Sequence, residues 1–567
     1  MAKHKKHLSS LLLSAGLCLL IAGCGKNVST TSENTENAED AAILTETEAL
    51  PEEPVISLSK SQLPEYGTVH SCTINEDKEY VEMSLSLPQI PASDDNLIYL
   101  FSFEIYESEH DFHKSPIVNA QKATDCVITW PYADGHLYQE FVPAVLLHGE
   151  YVPVATGSYI TNPEMLAGNQ LPFPEKESKK GLLLDPAMLT SEKLNDLDVK
   201  YAIYNIPLSM LMGETTDPAF PTVKYGFRGR TYYFNGATVS FYDTLFTYLT
   251  SMDMTTTAII LNDWNNDYTE MIHPLAREKK KGAYYYALNT AEEEGCRRVE
   301  AAASFLASRY ATGEHGTVSG WVIANEINQH KIWNYMDTDD VSYYSAEFEK
   351  SMRIFYNAIK SRSANARIYF SVDHAWNTND GSASDYFNAR DIVQAVNDSA
   401  CAKGNYDWGL ALHPYPDPLT RVNYWTGEYD KTMDSPLLTV MNLNVVTDFL
   451  SQEEYLDREG NVRNMTITEL GFSSATGEKL QAAAFAYCYY IVDANPYIDA
   501  FMMNRQTDAW EELRQGLAFG IYDTDQDPKY IYDVFKYIDT DQAGEYTDFM
   551  LKILGAESLE EALSWAQ

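Results

Sequence analysis

SGWVIANEIN (319–328) and MTITELGFS (465–473) decide the fold. Each is a short apolar run that ends in a carboxylate, Glu326 in the first and Glu469 in the second. Short runs that are apolar on both faces read as strands of a parallel sheet, covered on both sides. Outward from these two, the same unit recurs. After Leu183 the strand-like segments are KYAIYNIPL (200–208), TTAIILND (256–263), AYYYALN (283–289), SGWVIANE (319–326), RIYFSVDH (367–374), WGLALHPY (408–415), MTITELGF (465–472) and DAFMMNRQ (499–506). Helical periodicity fills the gaps at 239–251, 291–310, 342–362, 386–398, 442–452 and 478–493, with one more at 529–537. Eight strands alternating with helices predict an α/β fold, a (β/α)8 TIM barrel, over residues 183–540. An open doubly wound sheet is the alternative, but no Gly-rich turn follows the first strand. The connection 264–282 is the weakest, since Pro274 breaks it. KYGFRGRTYYFNG (224–236) reads as a hairpin between strands one and two, placed over the face where the βα loops gather.

Residues 57–165 have a different rhythm. YVEMSLSL (80–87), NLIYLFSFEIY (96–106), CVITW (126–130), YQEFVPAVLL (138–147) and YVPVATGSYIT (151–161) have strand period, with Asp, Gly and Pro between them. They predict a small all-β sandwich that resembles a fibronectin or immunoglobulin module, a spacer with Trp130 in its core. Residues 541–567 read as a C-terminal helical extension.

At the N-terminus Lys3, Lys5 and Lys6 precede an apolar run from Leu8 to Ile21, then Ala22, Gly23 and Cys24. This is an export signal, and Ile21-Ala22-Gly23-Cys24 resembles a bacterial lipobox, which implies lipidation of Cys24. The run is too short to span a bilayer as a helix, which takes about 20 apolar residues. Residues 1–24 are therefore read as signal and lipid site. Residues 25–56, rich in Ser, Thr, Asn and Glu, read as a solvated tether. The expected location is the outer face of a bacterial cell membrane.

The 567 residues carry 82 Asp and Glu against 41 Lys and Arg, a formal charge of −41, so nucleic acid is repelled rather than gathered. Hydrophobic residues make up 45% of the chain and aromatics 13%, enough for a sizeable core. Of seven cysteines, Cys72, Cys126, Cys296, Cys401 and Cys488 lie past the lipid site. They read as buried thiols with no zinc spacing, and Cys72 with Cys126 is the one pair placed to bridge within the β module.

In a barrel of this kind, reacting groups emerge at the C-terminal ends of strands. Ala324-Asn325-Glu326-Ile327-Asn328 ends strand four, and Thr468-Glu469-Leu470-Gly471 ends strand seven. Here the chain resembles the clan A glycoside hydrolases. It is similar, more closely, to an exported bacterial barrel family catalogued as a domain of unknown function, in which Asn-Glu-Val/Ile-Asn recurs at strand four. The resemblance implies a retaining glycosidase with Glu326 as acid/base, Glu469 as nucleophile and Asn325 on the sugar hydroxyl beside the reacting carbon. It also implies that His413 and Tyr415 of His-Pro-Tyr at strand six serve the site, the Tyr on the nucleophile. Two carboxyl groups suit the chemistry: one attacks the anomeric carbon, the other protonates the leaving oxygen, at about 5–5.5 Å for retention and wider for inversion. The sequence leaves that spacing open.

Other strand ends add candidates for substrate contact: His374 and Trp376 at strand five, Asn262 and Trp264 at strand two, and Asn289 at strand three. Aromatic faces stack on sugar rings, and Asn and His hydrogen-bond hydroxyls. Two departures from the resemblance stand out. Ala324 replaces a Gly, and Asn504-Arg505-Gln506 stand where strand eight of the clan carries a Trp, with Trp510 displaced downstream. The predicted function is a surface-anchored glycoside hydrolase with a carbohydrate substrate. A non-catalytic glycan-binding lipoprotein is the rival. Nothing in the sequence calls for a cofactor, a metal or an obligate protein partner. Tyr204-Asn205-Ile206-Pro207 lacks the His-x-His of a metal-dependent barrel hydrolase, and no Gly-x-Ser-x-Gly or Walker motif occurs.

Overall fold

The computed structural model of the chain describes residues 54–189, 191–378 and 385–567. The export signal, Cys24 and nearly all of the tether lie outside the described residues. Within them, no helix is long and apolar enough to cross a membrane.

Eight parallel strands close into a barrel: β1 (Lys180–Leu183), β2 (Tyr201–Pro207), β3 (Thr255–Leu261), β4 (Gly320–Ile323), β5 (Arg367–Asp373), β6 (Trp408–His413), β7 (Met465–Leu470) and β8 (Ile498–Met503). Every residue of β3, β4 and β6 is buried, as strands covered on both faces require. Tyr201, Ile203, Ile259, Leu261, Val322, Tyr369, Ala411, Ala500 and Met502 fill the interior as one cluster. Helices 236–251, 293–310, 341–360, 389–402 and 478–493 form much of the outer layer. Asn235 and Asp340 start two of them by accepting hydrogen bonds from the free amides of the first turn.

The strand register corrects the sequence reading in two places. β1 was not expected. It is four residues long and contains Gly181, where a Cβ would collide with the Met502 sulfur and stand 3.0 Å from the Tyr201 Cβ. The missing side chain lets β1 lie close between β8 and β2 where the ring closes. Conversely, residues 283–289 are not a barrel strand. Their backbone hydrogen-bonds the loop after β4, with Tyr284 N–H donating to the Ile332 carbonyl at 2.8 Å and Tyr335 N–H to that of Tyr285 at 2.8 Å. Tyr284 is 57% exposed, which a strand of the ring could not be. One omission and one false strand cancel, so the segments expected as strands four to eight are β4 to β8.

The expected hairpin is present as strands Val223–Phe227 and Arg230–Phe234, between β2 and β3. It does not cover the loop face. Phe234 stacks on Phe305 at 3.8 Å and Tyr225 meets Ser304 at 2.8 Å, so the hairpin lies along the flank of helix 293–310. At its tip Arg228 bridges Glu300 of that helix, at 2.9 Å, and Glu104 of the β module, at 2.8 Å.

The module has a three-stranded sheet (68–74, 80–86, 125–131) and a four-stranded one (118–121, 97–104, 139–147, 150–153), all antiparallel. Trp130 and Phe141 join them at 4.6 Å, and Trp130 is buried. Cys72 and Cys126 are not joined by a disulfide. Each lies on a strand that pairs with 80–86, but on opposite sides of it. Two strand spacings alone put them at least about 9.5 Å apart, beyond the reach of a disulfide. The chain ends in three short helices, 543–547, 549–554 and 559–564, with Tyr487 of helix 478–493 donating to the Ala562 carbonyl.

β1 is held to the outer layer by Lys180, whose buried ammonium meets Asp539 at 2.7 Å and the Lys536 carbonyl at 3.1 Å. Removing one partner of a buried pair strands the other, at about 3–5 kcal/mol. Lys180→Met is therefore expected to lower the melting temperature by several degrees, and adding Asp539→Leu to recover most of the loss. No loss in the single variant, or no recovery in the double, contradicts the assignment of this pair as the clamp on β1.

Candidate active site

Alternation along the strands continues the interior pattern to the mouth of the barrel, so Asp263, Glu326, Ser371, Asp373, His413 and Asn504 follow the inward positions. β4 is apolar to Ile323, then the backbone turns through Ala324 (φ 64°) and Glu326 (φ 37°). Left-handed backbone costs a residue with a Cβ about 1–2 kcal/mol, so Ala324 and Glu326 are held there by the bonds around them. Two bonds to β5 hold the turn: Glu326 N–H donates to Ser371 Oγ at 2.8 Å and Ile327 N–H to the Ser371 carbonyl at 3.0 Å. At β7 the register against β8 shifts between Ile467 and Leu470. Such an irregularity re-aims side chains, and here neighbours Thr468 and Glu469 both serve the mouth.

Two hydrogen-bond chains meet there, both arising from the end of β6. His413 lies between Glu326 and Thr468, its Nδ1 2.8 Å from Glu326 Oε1 and its Nε2 3.0 Å from Thr468 Oγ1. Two residues on, Tyr415 donates its hydroxyl to Glu469 Oε1 at 3.0 Å. Asn504 of the β8 end donates to both, at 2.9 Å to the Tyr415 oxygen and 3.3 Å to Glu469. The carboxyl groups of Glu326 and Glu469 are thus held separately and rigidly, each with a partner of its own.

Burial raises the pKa of Glu326 to about 7; the charges of Asp373 and Glu469 add to the rise, and the bond to His413 opposes it. For His413 burial favours the neutral ring, but the bond to Glu326 and the charge of Glu469 outweigh it and raise its pKa. The Tyr415 hydroxyl is pushed well up by burial and by Glu469, so it remains a donor. Asp373 is fixed by Asn328 Nδ2 at 2.6 Å and Gln329 Nε2 at 2.7 Å.

The structure brings Glu326, Glu469, His413 and Tyr415 together. Asn325 is buried next to Glu326, and His374 is half-buried at the end of β5. Trp264 is partly exposed past β3, with its Nε1–H on Asn266 Oδ1 at 2.8 Å. Three expected contact residues are committed elsewhere. Trp376 is fully buried, donates to the Met433 carbonyl at 3.0 Å and meets Phe449 edge-on, so it has no free face for a sugar. The Asn262 amide spends its donors on the carbonyls of Met271, Tyr286 and Ala287. Asn289 caps the turn before helix 293–310, accepting from Ala291 and Glu292 N–H and donating to the Glu270 carbonyl. Both Asn side chains pin the loop that holds residues 283–289.

Asp263 and Asp373 stand in the strand ends that the sequence offers for sugar contact; Ser371, Thr468 and Asn504 have no role in the sequence reading. The signal for Asp263, Ser371, Asp373 and Asn504 is the two-residue period of the inward face; on β7 the outward Met465 and Ile467 leave Thr468 inward, and the register shift brings Glu469 in beside it. Asp263 accepts from Ser209 Oγ at 2.6 Å, while its Oδ1 is buried without a partner. Among the described residues no group of three or more His, Cys, Asp or Glu is arranged to hold a metal ion.

No curated protein matches the chain. Among solved structures, a family 39 glycoside hydrolase from the gut symbiont Bacteroides cellulosilyticus WH2 aligns over 83% of this chain and 83% of its own, with 11% identity and a TM-score of 0.41. The exo-beta-1,4-mannosidase Op5Man5 from Opitutaceae bacterium strain TAV5 aligns over 65% of this chain and 60% of its own, with 13% identity and a TM-score of 0.37. A beta-glucuronidase of Bacteroides uniformis covers 83% of this chain with 49% of its own, at 8% identity and a TM-score of 0.35. Residues 172–562 match the profile of a family of unknown function (DUF5722), and the chain belongs to that family.

Proposed function

We propose that the barrel is a retaining glycoside hydrolase in which Glu326 is the general acid/base and Glu469 the nucleophile. The observation that carries this reading is the unequal treatment of two carboxyl groups at one mouth. Glu326 is pushed up to about 7, while Glu469 sits under two donors, Tyr415 and Asn504. Environments that divide two carboxyls in this way assign an acid and a nucleophile. In the first step Glu469 attacks the anomeric carbon as Glu326 protonates the leaving oxygen. In the second, Glu326 takes a proton from water, which attacks the anomeric carbon and releases the sugar from Glu469. His413 positions Glu326, and Tyr415 holds the attacking oxygen of Glu469 in line. The proposal extends to the rest of the chain: an exported protein, lipidated at Cys24, with residues 25–56 as tether and the β module as spacer between membrane and barrel. Its substrate is an extracellular carbohydrate.

Purified protein is expected to release reducing sugar from at least one polysaccharide in a panel. Glu326→Gln and Glu469→Gln each lower kcat by about a thousandfold, the scale of a lost acid or nucleophile. Binding by the wild type without release from any glycan contradicts the enzymatic reading and favours glycan capture.

The pH dependence has a defined sign. The first step needs Glu326 protonated, so kcat/KM is held below about pH 7 and falls above it. Asp373→Asn removes a charge that raises the Glu326 pKa and is expected to move this falling limb to lower pH. His413→Asn removes a bond that lowers it and is expected to move the limb higher. A limb that stays in place in both variants excludes Glu326 as its source.

A further inference from the structure

Two aromatic surfaces flank the mouth from opposite sides. On the β3–β4 side, residues 283–289 form a crosspiece in which the ring of Tyr284 stacks on Trp333 at 4.7 Å and 19°. The next residue, Tyr285, packs on the interior cluster of the barrel. Its backbone pairs with Asp263 at the end of β3, so this wall stands at the mouth of the barrel; burial and the charges of Asp263 and Glu469 raise its hydroxyl pKa. On the β8 side, Trp510 opens the short helix 510–513 and is 62% exposed. That helix is fastened: Glu512 meets Arg505 at 3.1 Å, and the loop returns to β7 through Ser473 Oγ, which donates to the Gly516 carbonyl at 2.7 Å and accepts from Ala518 N–H at 3.0 Å. Burial raises the pKa of Glu512, and the charge of Glu469 is among the further causes. In a ring of eight, β8 stands four strands from β4. Flat aromatic faces meet the apolar faces of sugars, and the two surfaces stand on opposite sides of the ring.

The charge at the mouth narrows the partner. From the penultimate residue of each strand to the third beyond its end, the chain supplies Asp185, Asp263, Glu326, Asp373 and Glu469, and among Lys and Arg only Arg505. Arg505 is already paired with Glu512. A uronate or sulfate would arrive among carboxylates. Hydroxyl groups would arrive among acceptors: Asp263 Oδ1 and Asn504 Oδ1 are buried without a donor, and Asn504 is only 5% exposed. Each such acceptor is costly unless a donor fills it.

We propose that the mouth binds a run of neutral sugar residues laid across the catalytic pair, from the Tyr284–Trp333 stack to Trp510, and that the chain is cut internally. This rests on the glycosidase reading and adds substrate class and mode of action. The test uses the full ectodomain on neutral polysaccharides (mannan, xylan, galactan, glucan) and on polyuronates (polygalacturonate, alginate). Viscosity and reducing ends are followed together, and binding is measured separately by affinity electrophoresis with Glu469→Gln. Expected are binding and cleavage of a neutral chain, with viscosity collapsing early in the release of reducing ends. Trp510→Ala, a surface change, weakens binding about fivefold or more, and its effect grows with oligosaccharide length. Asp263→Asn and Asp263→Ala weaken binding of the neutral chain about tenfold. Cleavage confined to polyuronates, or release of single sugars from chain ends, overturns this proposal while the glycosidase stands. Binding of neutral chains that Trp510→Ala does not weaken overturns it as well. Binding of neutral chains without cleavage keeps the cleft and sinks the glycosidase, and no binding of any glycan sinks both.

Discussion

Closure of the eight-stranded ring is the constraint on which the rest depends, because it fixes the direction of every side chain along each strand. Once Gly181 lets β1 sit between β8 and β2, the period of two runs without a free edge around the barrel. Apolar side chains occupy the inward positions up to Leu261, Val322, Ala411 and Met502. The next inward positions on β3, β6 and β8 are Asp263, His413 and Asn504, and on β4 Glu326 follows Ala324. The hydrophobic core and the polar mouth are thus one pattern, read at two heights.

What the mouth does with its carboxyl groups follows from how little water reaches them. Burial opposes the charged form of Glu326, and neighbouring Asp373 and Glu469 oppose it further. Glu469 is treated differently, since Tyr415 and Asn504 both point hydrogen at it. His413 and Tyr415, two residues apart, serve one carboxyl each. A single strand end therefore holds both carboxyl groups, through side chains that are themselves buried.

Much of this was legible in the sequence. The β4 and β7 segments are apolar to their last residues and then change character at once, so Glu326 and Glu469 stood out, as did His413 and Tyr415 at β6. What escaped did so for physical reasons. β1 is too short and too close to a glycine to show strand propensity; its place comes from a tertiary approach to Met502 that no local pattern records. AYYYALN has the composition of a strand, but its hydrogen bonds go to the loop after β4. Trp376, Asn262 and Asn289 stand near strand ends, where sequence suggests sugar contact, yet their donors are consumed by carbonyls of the loops they pin. Proximity to a strand end is necessary for a contact residue. A free face or a free donor is the further requirement, and only packing decides it.

The central claim is that Glu469 becomes covalently bonded to the sugar. A slow substrate bearing fluorine at carbon 2, with a good leaving group, lets that bond form faster than water breaks it. Mass spectrometry of the trapped protein after proteolysis tests this directly. The account predicts one glycosyl unit on the peptide that contains Glu469, absent in Glu469→Gln. A glycosyl unit on any other residue, or turnover of a natural substrate with inversion at the anomeric carbon and no adduct, contradicts it.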